Sequence, residues 1–408
     1  MTIPTVNRDR LWQAHMDMAR IGPTAEGGSC RLALSAEDGA ARALLLDWCR
    51  PLGLVVEQDA IGNVFARRAG TGPGKAVAFG SHLDTVPTGG RFDGVSGVLA
   101  GLEVMRALNE AGVRTRLPLE LVNWTNEEGS RFRPAMMGSR VHAGNLPLAT
   151  ALATIDDNGV SVADALRALG ITGAAPGPRD WAAWIELHIE QGPMLEATNT
   201  DIGIVTGTMH ARYFQLEIHG TPSHAGATPM ERRHDSLAAA AEIILADERI
   251  GRAAEPGGRA SSSWIENFPN ARGNVSDVTK LHCDVRHVDA AVATAMEAEL
   301  RAAIAEIAQR RGVRVEINPY ATFGPIEFDA GVCDVLRRKA TERQFSVRDA
   351  TAAAGHDSVF TAALYPSAML FIPCVGGITH NPAESTTPDQ VARGAQVLLD
   401  AVLELASR

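Results

Sequence analysis

Hydrophobic and polar positions follow two different patterns along the chain. Short apolar runs at 76–80, 117–124 and 184–189 predict buried strands, and stretches with a three-to-four-residue apolar spacing predict helices between them. Strands that alternate with helices favour a mostly parallel sheet covered by helices on both faces. The first half of the chain is therefore expected to be α/β.

The pattern changes near Gly207. Apolar and polar residues alternate along 212–219 and 278–286, which is typical of antiparallel strands with one exposed face. A long helix is predicted at 290–311, and the apolar run at 367–373 returns to the first pattern. The other predicted elements are helices at 11–21, 37–49, 98–108, 161–169, 235–246, 333–343 and 388–406 and strands at 54–58, 63–67 and 313–318.

These patterns predict two domains. Residues 1–207 and 323–408 would form the mixed, mostly parallel α/β domain, and residues 208–322 a smaller inserted α+β domain with an antiparallel sheet. No internal repeat or low-complexity segment interrupts either part.

Composition and charge narrow the class of protein. The 408 residues suffice for two or three domains with their own cores, and the net charge of −10 argues against nucleic acid or an anionic membrane as a partner. The N-terminus lacks an apolar core, and no run of about 18 apolar residues occurs, so we expect neither a secretion signal nor a membrane span. The five cysteines are dispersed and odd in number, which indicates reduced, mostly buried thiols in a cytoplasmic protein.

The stretch 81–97 joins a predicted buried strand to a predicted helix and carries His82, Asp84 and Asp93. Ligands and catalytic groups collect at the carboxyl ends of strands in α/β sheets. Histidine and aspartate are metal-ligand types, and glycines let the backbone bend closely round an ion. A polar turn with a hydrogen-bonded histidine explains these residues equally well on their own.

Further candidate groups follow other predicted strands. Glu127 and Glu128 come directly after the run 117–124, where two adjacent carboxylates repel each other and require a compensating positive charge. Because neighbouring side chains point in different directions, one glutamate can bind a metal while the other acts as a general base. A solvated acidic turn is the alternative. His188, inside a strand-like run, and His380, after a glycine turn, are each typical of a structural histidine when taken alone.

Taken together, these side chains favour a metal centre. Five of them lie at or near predicted strand ends of the same domain, namely His82, Asp93, Glu128, His188 and His380. Imidazoles and carboxylates suit divalent first-row ions such as Zn²⁺ or Mn²⁺. Two such ions about 3.5–4 Å apart activate a shared water near neutral pH. The combination indicates a two-metal hydrolase, with Asp84 as the partner that orients the ring of His82.

Six motifs occur in order along the chain. They are Gly-Ser-His-Leu-Asp-Thr at 80–85, Phe-Asp-Gly at 92–94, Asn-Glu-Glu-Gly at 126–129, His-Ile-Glu-Gln-Gly at 188–192, His-Ala-Gly-Ala-Thr-Pro-Met at 224–230 and Gly-Ile-Thr-His-Asn-Pro-Ala-Glu at 377–384. By these motifs the sequence resembles, nearly from end to end, the hydantoinase/carbamoylase branch of the dinuclear-metal amidohydrolases. The branch includes N-carbamoyl-L-amino-acid hydrolases, allantoate amidohydrolases and β-ureidopropionases, and aminoacylases and carboxypeptidases are related to it.

The resemblance implies two divalent ions per subunit, for which Zn, Mn, Co and Ni are the candidates. His82 and His188 would hold one ion and Glu128 and His380 the other. Asp93 would bridge the two ions.

The resemblance also implies catalytic and substrate-binding roles. Glu127 would be the general base, and His224 would cross the interface of a homodimer to polarise the scissile carbonyl in the partner's site. Asn274 and Arg286 would bind the carboxylate of a small ureido substrate, since the arginine fork makes two parallel charge-assisted bonds. Gln191 would line the pocket. Without the resemblance, Arg286 is typical of a solvated strand residue and His224 of a turn.

The chain departs from the family's pattern in places. The segment that leads to Asn274 is one residue longer than usual, so the position of this residue stays open. The stretch 352–357, whose Gly355 would lie near the substrate, lacks the usual Ser-Gly at its start. The resemblance further implies a strained, cis peptide bond between Asp93 and Gly94.

The resemblance thus implies a hydrolase that splits the ureido C–N bond of N-carbamoyl-L-amino acids into an amino acid, CO₂ and ammonia. Allantoate amidohydrolase shares every motif and is the alternative. An aminoacylase or dipeptidase fits the His-Ile-Glu-Gln-Gly motif less well. A non-catalytic binding protein on the same fold would be expected to lose Glu127 or a ligand, and this chain keeps them all.

Overall fold

Two compact units make up the chain. The computed structural model describes residues 4–323 and 325–407. One unit comprises Met1–Thr206 and Glu327–Arg408, and the other comprises Gly207–Ile326. The first is a mixed α/β unit and the second an α+β unit with an antiparallel sheet, so the predicted fold class is confirmed.

Strands and helices alternate through the first unit and return after the second. The strands are β1 (Val55–Gln58), β2 (Val64–Arg68), β3 (Ala76–His82), β4 (Leu119–Trp124), β5 (Trp181–Ile189), β6 (Ile202–Thr208), β7 (His210–His219), β8 (Ser223–His224), β9 (Arg259–Phe268), β10 (Asn274–Val275), β11 (Val278–His287), β12 (Arg314–Phe323), β13 (Val347–Ala352) and β14 (Ser367–Ile372). The helices are α1 (Arg8–Met18), α2 (Ala36–Cys49), α3 (Val95–Glu110), α4 (Met137–His142), α5 (Leu148–Ala153), α6 (Val162–Ala168), α7 (Met194–Ala197), α8 (Ser236–Ala253), α9 (Ala290–Arg311), α10 (Ala330–Glu342), α11 (Ser358–Thr361) and α12 (Pro388–Leu405).

An eight-stranded sheet with the order β1-β2-β4-β3-β5-β14-β6-β13 forms the core of the first unit. Its central neighbours β4, β3, β5 and β14 pair in parallel, whereas β1 with β2, β2 with β4 and β6 with β14 pair antiparallel. Strands β3, β4 and β14 are buried along their whole length, which explains why they are continuous apolar runs in the sequence. Helix α3 packs against β3 and against α12.

The four central strands bring the candidate residues to one edge of this sheet. Because β3, β4, β5 and β14 run in the same direction, their carboxyl ends lie together. Strand β3 ends at His82, β4 ends shortly before Glu127, β5 ends just after His188, and β14 leads into the loop that carries His380. The topology therefore gathers side chains that are far apart in the sequence.

The second unit has a separate core. Its four-stranded antiparallel sheet has the order β12-β7-β11-β9, and β8 pairs with β10 in a small two-stranded sheet. Helices α8 and α9 pack on the larger sheet around buried residues that include Leu216, Ile243, Leu281 and Leu300. Alternate burial along β7 and β11 explains the alternating sequence pattern.

The five cysteines are free, and all but Cys30 are buried, in keeping with the expected thiols. No helix within 4–323 and 325–407 is both long enough and apolar enough to cross a membrane.

His142 gives the first unit a testable dependence on pH. Its ring is fully buried against Trp124 and Trp181, and its Nε2 lies 3.1 Å from the hydroxyl of Tyr365. Burial lowers the pKa of His142 to about 4, whereas an unfolded histidine titrates near 6.5. As the pH falls below 6.5 the unfolded state therefore takes up the proton first, and the native state loses stability.

We expect the free energy of unfolding of the wild type to fall, relative to a His142→Phe variant, by about 1.4 kcal/mol per pH unit from pH 6.5 down to pH 4. Urea unfolding of both proteins over this pH range measures the difference. Parallel pH curves for the two proteins would show that His142 is not responsible.

Candidate metal centre

The carboxylate of Asp93 lies in the middle of a cluster of imidazoles and carboxylates. Its Oδ1 is 3.1 Å from Nε2 of His188 and 3.7 Å from Nε2 of His82. Its Oδ2 is 3.5 Å from Nε2 of His380, and that nitrogen lies 3.3 Å from Oε2 of Glu128. The two oxygens of Asp93 thus face two different ligand sets.

Backbone carbonyls orient the two buried imidazoles. Nδ1 of His82 lies 2.9 Å from the carbonyl oxygen of Asp84, and Nδ1 of His188 lies 2.9 Å from the carbonyl oxygen of Ile189. With the Nδ1 protons donated to carbonyls, each Nε2 is left as an acceptor, and Nε2 of His188 accepts the backbone N–H of Gly94 at 3.2 Å. Metal-binding histidines are commonly held in this way.

The side chain of Asp84 contacts different groups from those expected. Its backbone carbonyl, and not its carboxylate, meets the ring of His82. The carboxylate oxygens accept the backbone N–H groups of Glu127 and Glu128, at 3.2 Å each. Asp84 therefore fixes the turn that presents both glutamates.

The surroundings of two carboxyl groups in the cluster, those of Asp93 and Glu127, shift their pKa values in opposite directions. Burial opposes ionisation of Asp93, but the imidazoles around it, His188 foremost, hold the pKa of Asp93 well below its usual range. Burial, helped by the charges of Asp357 and Glu128, raises the pKa of Glu127 well above its usual range. Oε2 of Glu127 lies 3.6 Å from Nε2 of His82. One carboxylate thus stays ionised while its neighbour is able to hold a proton.

The donor set fits divalent cations. In three groups of described residues the ligand atoms lie within 4.8 Å of one another. Two of these groups share Asp93, which lies with His82 and His188 in one and with Glu128 and His380 in the other, and the third is formed by Glu186, His188 and His356. Burial lowers the pKa of His188 but Asp93 outweighs it and raises the value to about 9, and Glu128 raises the pKa of His380 to about 9. Carboxylates that hold protons on imidazoles so firmly would also hold a divalent cation, whose binding displaces those protons. Imidazole nitrogens and carboxylate oxygens suit Zn²⁺ and Mn²⁺.

The turn after Asp93 depends on Gly94. This residue has a φ of 65°, and a Cβ added to it would lie 2.3 Å from the ring of His82. The cis peptide bonds of residues 4–323 and 325–407 all precede prolines, so the predicted cis bond between Asp93 and Gly94 is wrong. A non-proline cis bond costs about 2.5–4 kcal/mol, and the left-handed conformation of glycine makes the turn without it.

Two predicted pocket residues lie in the first unit. Nε2 of Gln191 donates to Oδ2 of Asp93 at 2.8 Å, so this side chain contacts the cluster itself. Gly355 is exposed, and a Cβ added to it would lie 2.9 Å from the Met136 side chain. Gly355 is followed by His356, which the sequence did not single out and whose ring lies 4.5 Å from that of His188.

The other predicted residues lie in the second unit. His224 on β8 pairs directly with Asn274 on β10, so these two side chains are neighbours across the small sheet. Arg286 lies on β11, where its Nε and Nη2 donate to the carboxylate of Asp284 at 3.0 and 2.9 Å.

Gly94→Ala tests whether the close approach of the Gly94 backbone to the His82 ring matters for metal binding. Gly112→Ala is the matched control. Gly94 has a φ of 65° and Gly112 a φ of 63°, but a Cβ at Gly112 would meet nothing within 4 Å. Gly112→Ala is expected to lose about 1–2 kcal/mol of stability from backbone strain. Gly94→Ala should lose more, because the ψ of −47° at Gly94 lies outside the left-handed helical region and its Cβ would meet the His82 ring. Gly94→Ala alone should also lower the affinity for Zn²⁺ or Mn²⁺, by about 10–100-fold, because it displaces His82. Calorimetric titration of both variants measures this, and equal metal affinities would contradict the assignment.

Comparison with known proteins places the chain among hydrolases. The model of peptidase family M20/M25/M40 matches residues 78–404. The N-carbamoyl-L-amino-acid amidohydrolase of Rhizobium meliloti is 40% identical over 403 residues, which cover 98% of this chain and 97% of that relative. The ureidoglycolate hydrolase of Arabidopsis thaliana is 34% identical over 381 residues, covering 90% of this chain and 80% of that relative.

A solved structure agrees with these sequence relatives. The crystal structure of an amidase of the hydantoinase/carbamoylase family from Burkholderia vietnamiensis is 43% identical, with a TM-score of 0.96 and coverage of 100% of this chain and 99% of that chain. The family resemblance predicted from the six motifs is confirmed. The chain belongs to peptidase family M20/M25/M40, a family of metal-dependent hydrolases.

Proposed function

We propose that this chain hydrolyses the ureido C–N bond of N-carbamoyl-L-amino acids and releases an amino acid, CO₂ and ammonia. The observation that carries the proposal is the buried carboxyl group of Glu127 beside two ligand sets that share Asp93. The name of the Rhizobium relative supports the substrate class.

His82 and His188 would hold one divalent ion, Glu128 and His380 a second, and Asp93 both. Bound there, the ions would supply Lewis acidity to water and to the carbonyl oxygen of the substrate. Zn, Mn, Co and Ni all accept imidazole and carboxylate ligands. The backbone carbonyls that orient His82 and His188 support this assignment. So does Asp93, whose Oδ1 faces His188 and whose Oδ2 faces His380.

Glu127 moves the proton during hydrolysis. It accepts a proton from the attacking water as the oxygen of that water bonds to the ureido carbon. It then delivers the proton to the amino-acid nitrogen as the bond from carbon to that nitrogen breaks, so the amino acid leaves. The carbamic acid that remains decomposes into CO₂ and ammonia. The raised pKa of Glu127 suits a group that has to hold the proton between these events.

His224 would polarise the scissile carbonyl in the partner's site, with the unit Gly207–Ile326 acting as lid and dimerisation domain. Nδ1 of His224 accepts the backbone N–H groups of Gly226 and Ala227, at 3.0 Å each. From these hydrogen bonds we assign the ring proton to Nε2, which can then donate to a carbonyl oxygen as negative charge develops there.

The substrate carboxylate would be bound by Arg286 and Asn274. The two hydrogen bonds from Arg286 to the buried Asp284 fix the plane of the guanidinium group, which favours directional binding of a carboxylate. Gln191 and Gly355 would line the pocket in the first unit.

A homodimer would cover the exposed edge of the second unit. Strand β9 is an edge strand, and its Ile265 and Phe268 are 46% and 41% exposed. An edge strand with exposed apolar side chains is a template for pairing with another chain. These features support association through β9.

Ureidoglycolate is the second candidate substrate, because the Arabidopsis relative is named for it. Allantoate, which the motifs leave open, is likewise a ureido compound. Incubating metal-loaded protein with N-carbamoyl-L-amino acids, ureidoglycolate, allantoate and dipeptides, and measuring ammonia and free amine, separates the possibilities. We expect the largest kcat/KM with an N-carbamoyl-L-amino acid. Preference for another substrate would refute this choice, and a lack of any turnover would favour a binding protein.

Glu127→Gln tests the proton-transfer role. The variant keeps the shape of the side chain but cannot accept the proton, so kcat should fall by about 10²–10⁴-fold while the metal content stays that of the wild type. Ammonia release and elemental analysis measure the two quantities. Glu26→Gln, at an exposed glutamate, is the control and should leave both unchanged. Near-normal turnover of Glu127→Gln would remove Glu127 from the mechanism.

Mixing two inactive variants tests whether His224 acts across an interface. In a heterodimer of Glu127→Gln and His224→Ala subunits, one site would combine an intact Glu127 with the partner's intact His224. After subunits are exchanged at equal concentrations, about a quarter of the wild-type activity should return, since half of the dimers are mixed and each has one complete site. Recovery that stays at the level of the separate variants would place both residues in the same subunit's site.

A further inference from the structure

Two side chains that sequence analysis did not single out tie the loop carrying His380 to the loop carrying Asp93. Oγ1 of Thr379 lies 2.8 Å from Oδ2 of Asp93 and 3.0 Å from Oε2 of Glu384. Thr379 and Glu384 lie on either side of His380 in the sequence. Both ends of the segment around His380 therefore reach towards Asp93.

Glu384 holds the backbone of the Asp93 loop. It is 4% exposed, and its Oε1 accepts the N–H groups of Phe92 and Asp93 at 2.9 and 3.0 Å. A Cβ added to Gly90 would lie 2.2 Å from the carboxyl group of Glu384. The loop thus wraps closely round this carboxylate, and a residue almost three hundred positions away fixes its course.

The conformation of His380 shows that the segment is constrained. Its φ is 51°, a left-handed conformation that non-glycine residues adopt only when their surroundings enforce it. The bonds of Thr379 on one side and Glu384 on the other supply that constraint.

We infer that Thr379 and Glu384 are positioning residues that set His380 against Oδ2 of Asp93, and that binding of the ion at Glu128 and His380 depends on them. The inference rests on the proposed two-ion function. The opposite ligand set has its own supports, because backbone carbonyls orient His82 and His188. Gln191 also donates to Oδ2, but from the loop after β5, so it does not join the two loops.

Thr379→Val tests the inference, because it removes the hydroxyl group and keeps the branched shape. Stepwise calorimetric titration with Zn²⁺ or Mn²⁺ should show one binding step weakened by about 10–100-fold and the other unchanged. His380→Ala identifies the weakened step, since it removes a ligand of the same ion. Thr379→Ser returns the hydroxyl and should restore the affinity. If the valine variant is too unstable to titrate, Thr379→Ala serves in its place.

Thr386→Val is the matched control. Oγ1 of Thr386 donates to the carbonyl oxygen of Pro373 at 2.8 Å, and in the described contacts this hydroxyl bonds neither Asp93 nor Glu384. This variant should leave both steps intact, even if it lowers the melting temperature. Equal weakening of both steps by Thr379→Val, no weakening, or the same loss in Thr386→Val would overturn the inference. A wild type with a single binding step would instead refute the two-ion function, and this inference with it.

Discussion

A buried carboxylate is tolerated only where positive charge and hydrogen bonds replace the water it has lost, and Asp93 sets this requirement at the centre of the first unit. Its two oxygens face different imidazoles, with His188 and His82 on one side and His380 on the other. The parallel strands β3 and β5 deliver the first two rings from the sheet, whereas a long loop delivers the third. Residues from two strands and one loop thus have to meet around the side chain of Asp93.

The same charges shift the pKa values of neighbouring carboxyl groups in opposite directions. Imidazoles hold the pKa of Asp93 low, while burial and nearby carboxylates raise the pKa of Glu127. Pairs of titratable groups whose surroundings drive their pKa values apart are typical of acid–base sites. Asp84 keeps the arrangement in place, because its carboxylate binds the backbone N–H groups of both Glu127 and Glu128. The proposed ligand Asp93, the proposed base Glu127 and the supporting Asp84 therefore belong to one buried network.

Sequence reasoning singled out the metal-type residues because they lie within, at the end of or after strong apolar runs that end at the same sheet edge. It missed β9, whose serine-rich segment with an exposed side carries little hydrophobic signal, and it missed the strands β6 and β13. It was wrong about the peptide bond after Asp93, since the left-handed conformation available to Gly94 makes the turn. Thr379 and Glu384 lay inside a recognised motif, but their partners in the Asp93 loop are almost three hundred residues away, and no local pattern records such a contact.

We propose that Asp93 lies between two divalent ions. Anomalous diffraction from crystals of protein loaded with Zn²⁺ or Mn²⁺ measures this directly. We expect two peaks per chain about 3.5–4 Å apart, one beside His82 and His188 and the other beside Glu128 and His380, with one oxygen of Asp93 facing each. A single peak, or peaks that do not flank Asp93, would contradict the proposed two-ion centre.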